Sequence, residues 1–176
     1  MLQLSIGYDR NQVYAACGDG RIRGYDLATG AATLEWTPPS GRSRKGARCV
    51  AAAGDLLAAG FADGYVRVFD RRAGHWAAAA GEKLHDDYVN DIAYDSRYSR
   101  VCTASDDGRL GVLEVGRTGP DGGAAVRRAK SIWVGRPVNT VAFDHSSVGT
   151  PPITPSLVCA LCPLHTLSIP PHAHAH

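Results

Sequence analysis

Cysteine and histidine crowd the last part of the sequence, where Cys159-Ala160-Leu161-Cys162 is followed by His165 and then by His172, His174 and His176. Thiolate and imidazole groups at that spacing are how proteins hold zinc. A second Cys-x-x-Cys pair would complete such a site, but the remaining cysteines, Cys17, Cys49 and Cys102, form none. The cluster reads as a chance grouping in a proline- and histidine-rich segment, and no metal is expected. Gly18-Asp19-Gly20 with Gly24 suggests a phosphate-cradling loop, yet the spacing misses the dinucleotide pattern and a hairpin, not a helix, follows. No Gly-x-Ser-x-Gly nucleophile elbow is present, and the carboxylates fall at turns and strand ends where structure already accounts for them. The expectation is a protein without catalytic residues or cofactor.

Two basic runs are left, Arg42-Ser43-Arg44-Lys45-Gly46-Ala47-Arg48 and Arg127-Arg128-Ala129-Lys130. Each has two readings, a contact to RNA phosphates or a solvated loop. A formal charge of +2 on 176 residues adds no bias toward a polyanion.

The elements that position these residues follow from one period. Asp19-Gly20, Asp63-Gly64 and Asp107-Gly108 fall 44 residues apart, without a gap. Before each turn lie small residues, and after it Arg21 to Asp26 overlays Tyr65 to Asp70 and Arg109 to Glu114, alternating in polarity and ending on an apolar-acidic pair. Each copy predicts a hairpin turning at a glycine with positive φ. A third strand follows at Ala32 to Trp36, Trp76 to Ala80 and Arg128 to Val134, and a fourth precedes the next hairpin, as at Val89 to Asp95 and Val138 to Asp144. Trp36, Trp76 and Trp133 all fall in third strands, which predicts packing between sheets. Four strands in about 44 residues is the period of a propeller blade.

These residues resemble the WD-repeat family. Its Trp-Asp signature is weakened here to Tyr25-Asp26, Phe69-Asp70 and Leu113-Glu114, and its Gly-His to Leu84-His85. The resemblance covers residues 2 to 144 and implies an all-β fold, a partial β-propeller of about three blades, with Asp19, Gly20, Asp26, Asp63, Gly64, Asp70, Gly108 and the set His85, Ser105, Asp107 as blade residues. In that family a histidine, a strand hydroxyl, the turn Asp and the Trp share hydrogen bonds; Leu113 removes the indole. The stretch His85-Asp86-Asp87-Tyr88-Val89-Asn90-Asp91-Ile92 with Thr103 to Val112 is similar to the nucleolar WD-repeat-containing protein 55 group, which implies ribosome biogenesis and rRNA processing. The resemblance further implies a protein-binding scaffold in the nucleolus or nucleus whose partners are pre-ribosomal assembly factors, docked on the loop bearing His85, Asp86, Asp87 and Tyr88. Phe69-Asp70-Arg71-Arg72 resembles, with Phe for Trp, the box by which some WD-repeat proteins dock to the adaptor of cullin-4 ubiquitin ligases, so Arg71 and Arg72 are candidate contacts and a ligase substrate receptor is the alternative. The competing view is that Phe69-Asp70 merely ends a strand.

The pattern stops after Asp144. Proline at positions 151, 152, 155, 163, 170 and 171 argues against central strands, so residues 145–176 are expected to be a disordered tail, with a fourth blade broken off after one strand that starts near 135. Such a chain would leave the ring open, as in a truncated fragment of a longer propeller. With no long apolar run and scattered cysteines, an intracellular setting without membrane contact is expected.

Overall fold

A computed structural model describes residues 3–7, 11–37, 46–70, 78–118, 123–144, 156–161 and 165–169. They form four antiparallel sheets in chain order. The first contains β1 (Gln3–Gly7), β2 (Gln12–Ala16), β3 (Ile22–Asp26) and β4 (Ala32–Trp36). The second contains β5 (Ala47–Ala53), β6 (Leu56–Phe61), β7 (Tyr65–Asp70) and β8 (Ala78–Lys83), and the third β9 (Val89–Asp95), β10 (Arg100–Ser105), β11 (Arg109–Thr118) and β12 (Gly123–Trp133). β13 (Val138–Asp144), β14 (Ser156–Leu161) and β15 (His165–Ile169) make the fourth. Each sheet meanders, and the first strands β1, β5, β9 and β13 pack against one another, so the sheets converge there like propeller blades.

The 44-residue period is physical. In all three units the residue after the turn aspartate is a glycine with positive φ, 81° at Gly20, 78° at Gly64 and 77° at Gly108. Each is reached by a tight turn, Gly20 N–H donating to Cys17 O, Gly64 to Phe61 O and Gly108 to Ser105 O. Only glycine takes that conformation without steric cost. The outer strands repeat as well: the ladder slips by one residue between Gly24 and Tyr25, between Val68 and Phe69, and between Val112 and Leu113, again 44 residues apart. A bulge at the margin interrupts the flat edge that would otherwise recruit a foreign strand.

Three apolar cores lie between successive sheets. Tyr14, Ile22 and Leu34 meet Leu57, Phe61 and Phe69 between the first two. Val66 and Val68 meet Val89 and Leu113 between the second and third, and Leu110 meets Val138 and Val141 between the third and fourth. Full burial of each such side chain contributes about 1.5–3 kcal/mol, so no blade is stable without its neighbour.

The C-terminal segment departs from the expected disordered tail. β14 pairs with β13 in a ladder from Val138 opposite Leu161 to Asp144 opposite Ser156, and β15 continues it with Leu157 opposite Ile169. The fourth unit therefore carries a hairpin. The prolines bound these strands instead of occupying them: Pro155 precedes β14, Pro163 falls between β14 and β15, and Pro170 follows. Proline at a strand boundary removes no ladder hydrogen bond.

Candidate functional site

The segment Leu84 to Tyr88 joins the second sheet to the third, and both hairpin turns grip it. Leu84 and His85 donate their backbone N–H groups to Gly64 O at 3.0 and 3.1 Å. Asp86 N–H donates to Asp107 Oδ2 at 3.0 Å, and Asp106 N–H donates to Tyr88 O at 3.1 Å. The approach at Gly64 is so close that a Cβ there would lie 2.0 Å from His85 O.

His85 itself is buried. Its Nδ1 lies 3.0 Å from Asp107 Oδ2 and its Nε2 2.7 Å from Thr103 Oγ1. Burial pushes the imidazole below its ordinary titration range despite the nearby Asp107 carboxylate. The ring is therefore neutral, with Nδ1–H donating to Asp107 and Nε2 accepting from the Thr103 hydroxyl. Burial works to raise the Asp107 carboxyl, but the N–H of Asp86, His85 and the N–H of Arg109 together hold it below the usual range. A neutral imidazole and a carboxylate that accepts from three N–H groups thus lock the loop, every polar atom of the pair having a partner.

Ser105 is not the partner of this histidine. Its hydroxyl accepts from Asp107 N–H at 3.1 Å and shapes the turn. The β9–β10 ladder shifts at this point, with Ala104 opposite Asp91 and Ser105 opposite Val89. Comparison of the repeats carries the missed signal: Thr103 overlays Ala59 and Ala15, so the hydroxyl occurs only in the unit that has the histidine.

The other two turn aspartates are satisfied differently. Arg23 grips Asp19 with NH2 at 2.8 Å and NH1 at 3.5 Å, and Arg67 grips Asp63 with NH2 at 3.2 Å and NH1 at 3.5 Å. Hydrogen bonding from Arg23 holds Asp19 below the usual carboxylate range. The residue at this place in the third unit is Gly111, where a Cβ would lie 2.3 Å from Leu84 Cδ2 and 2.6 Å from Thr103 Oγ1. Arginine four residues after the aspartate, or glycine there with a histidine from the preceding loop, are alternative ways to give the equivalent carboxylate a donor.

Three further links hold the blades together. Asp91 accepts from Ile92 N–H and Val141 N–H, both at 2.9 Å, and from the Thr140 hydroxyl, tying the third sheet to the fourth. Asn90 donates to Asp106 Oδ1 at 2.6 Å and to Val138 O at 3.1 Å, while Arg48 reaches Asn90 Oδ1 at 3.5 Å and stacks 4.7 Å from the Tyr88 ring centre. Arg117 donates to Asp70 at 2.8 Å between the third and second sheets, and Asp26 caps its own turn by accepting from the N–H groups of Ala28 and Thr29. Asp70 is thereby a structural residue at a strand end.

Asp86, Asp87 and Tyr88 are exposed on the braced loop. Of the other candidates, Arg71, Arg72, Trp76 and residues 42–45 lie outside the described residues, as do Cys162, His172, His174 and His176. Trp36 packs edge-on against Phe61 and Phe69, at 5.4 and 5.6 Å between ring centres. Trp133 does not pack between sheets and is 65% exposed. Trp36 pairs with Ile22, and the residue holding the equivalent place opposite Leu110 is Ile132; Trp133, one step on, takes the other face.

Comparison with known proteins follows this geometry. Residues 83–112 match the family model described as WD domain, G-beta repeat. The matched stretch spans the His85 loop, Thr103, Asp107 and Gly111. No curated protein matches the chain. Among solved structures, the crystal structure of the computationally designed Ika8 protein is similar with a TM-score of 0.62 at 15% identity, over 88% of this chain and 41% of that one. The chain therefore spans about two fifths of that protein's length, and the likeness is one of fold.

Proposed function

We propose that this chain, with a WD40 repeat at 83–112, is a non-catalytic protein-interaction scaffold whose contact loop is Asp86-Asp87-Tyr88. WD40 domains typically mediate protein–protein contacts, and the observation that carries the assignment to this loop is its bracing. His85, Asp107, Thr103 and the Gly64 carbonyl fix the backbone while two carboxylates and a phenol face outward. A loop fixed before binding loses little conformational entropy on docking. By its resemblance to the WD-repeat-containing protein 55 group, the scaffold acts in ribosome biogenesis and rRNA processing in the nucleolus, with pre-ribosomal assembly factors as partners.

The test is affinity purification of the tagged protein at its native length, followed by mass spectrometry. Recovery of pre-ribosomal factors, lost in an Asp86→Lys, Asp87→Lys, Tyr88→Ala variant, supports the proposal. The three side chains are exposed, but Tyr88 stacks with Arg48 and Asp87 accepts from Tyr88 N–H, so that variant should cost about 1 kcal/mol, and urea unfolding checks that it folds. Recovery of a cullin-4 adaptor instead, abolished by Arg72→Ala, would move the assignment to ubiquitin ligation.

A further inference from the structure

Single exposed apolar side chains are common and need no explanation. Trp133 differs from Tyr25, Leu27, Tyr88 and Tyr98, the other large exposed apolar residues described, in exposure and in support. Its indole lies across the backbone of two glycines with positive φ. A Cβ on Gly108 would be 3.2 Å from Cζ3, and one on Gly135 (φ +87°) 3.8 Å from Nε1. A side chain on Gly108 would crowd the ring, whereas one on Gly135 would meet it at ordinary van der Waals distance.

One cation lies over it, and a second basic residue packs its backbone on the same turn. The Arg109 guanidinium lies 5.5 Å from the ring centre, and the Arg136 backbone packs on the same glycine, its N 3.3 Å from where a Gly108 Cβ would be. Both arginines are exposed, and neither forms an ion pair among the described residues. An exposed aromatic ring with a guanidinium over it is the composition of an interface hot spot.

We infer that the Trp133 platform, flanked by Arg109 and Arg136, docks an extended acidic peptide segment of a protein partner, placing an apolar side chain on the indole and carboxylates on the two arginines. Charge complementarity sets the acidic character. A nucleic acid strand would also stack on tryptophan, but a formal charge of +2 over the whole chain gives a long polyanion no general attraction. A short peptide brings only a few negative charges. The site rests on the scaffold proposal solely in taking a protein partner, and it is separate in side chains from Asp86-Asp87-Tyr88.

The experiment uses the whole chain and a fluorescein-labelled peptide of sequence Gly-Ser-Glu-Asp-Leu-Phe-Asp-Glu-Ser-Gly, with fluorescence anisotropy and the tryptophan indole resonances as readouts. The expected result is saturable binding that moves the Trp133 indole resonance, with affinity reduced at least about tenfold by Trp133→Ala and by Arg109→Gln combined with Arg136→Gln. The analogue with Gln and Asn in place of Glu and Asp should bind comparably weakly. Urea unfolding of each variant checks that it folds. The Asp86→Lys, Asp87→Lys, Tyr88→Ala variant should retain peptide binding, which separates this site from the loop. Absence of binding, binding indifferent to Trp133→Ala, competition by oligouridylate at equal concentration, or self-association of the chain abolished by Trp133→Ala would each overturn the inference.

Discussion

Replacing Thr103 with valine removes one hydroxyl from the interior while leaving the volume of the side chain almost unchanged. The hydroxyl lies 2.7 Å from His85 Nε2, and both residues are buried. Without it the imidazole keeps its bond to Asp107 through Nδ1 but loses the donor to Nε2, and no water can replace a group in a site this tight. A buried acceptor left unpaired costs about 1–3 kcal/mol. For a chain of this size that is a downward shift of roughly 1 M in the urea midpoint. The control is Ser105→Ala, which removes only the acceptor for Asp107 N–H at a part-buried turn and should cost about 0.5–1.5 kcal/mol. A second readout separates packing from hydrogen bonding. The Thr103 hydroxyl stabilises the neutral imidazole, so its loss raises the His85 pKa back toward the ordinary value, and the variant should lose less stability than the parent between pH 7 and pH 5. If Ser105→Ala proves as damaging as Thr103→Val, or if the two proteins have parallel acid profiles, the assignment of Thr103 to the histidine is wrong.

The parent protein should itself weaken on acidification in two stages. His85, depressed by burial, binds its proton in the unfolded chain first, so stability falls below about pH 6.5 at up to about 1.4 kcal/mol per pH unit. Asp107, also depressed, adds a further loss as pH drops below 3.8 and through its folded value; thermal melts across pH measure both. Within β11, Gly111→Ala should cost about 1–3 kcal/mol through collision with Leu84 and Thr103, whereas Gly116→Ala, with nothing within 4 Å, should be neutral or stabilising by about 0.5 kcal/mol in urea unfolding. Asp70→Asn should cost about 1 kcal/mol by loosening Arg117 between the second and third sheets, and the difference from the parent should shrink in high salt.

What was legible in the sequence is what one residue dictates by itself. Glycine at positive φ marks the turns, so the 44-residue period and the bounds of β4, β9 and β13 follow from reading along the chain, while the pairing of His85 with Asp107 is what the resemblance to the WD-repeat family implies. What was not legible depends on register. The pairing of β11 with β12 sets Ile132 opposite Leu110, where Trp36 stands opposite Ile22, and leaves Trp133 on the other face, while the hydroxyl that meets His85 is that of Thr103 and not of Ser105. Residue type does not mark either outcome, because Thr103 and Ser105 both offer a hydroxyl and Ile132 and Trp133 are both apolar. Proline misled for a related reason: its density suggested a segment without strands, although its positions bound β14 and β15 without interrupting them. The recoverable signal was in comparing units with one another. Position 111 is glycine where 23 and 67 are arginine, and position 103 is threonine where 15 and 59 are alanine. Those two differences occur together, in the one unit whose turn aspartate faces a histidine, because a side chain at 111 would collide with Leu84 and with the Thr103 hydroxyl that the imidazole uses and that an alanine lacks. A reciprocal exchange tests that dependence: Gly111→Arg alone should destabilise the third blade, and adding His85→Gly and Thr103→Ala, which restore the room and remove the unpaired groups, should recover part of the loss in urea unfolding, an outcome that independent sites would not give.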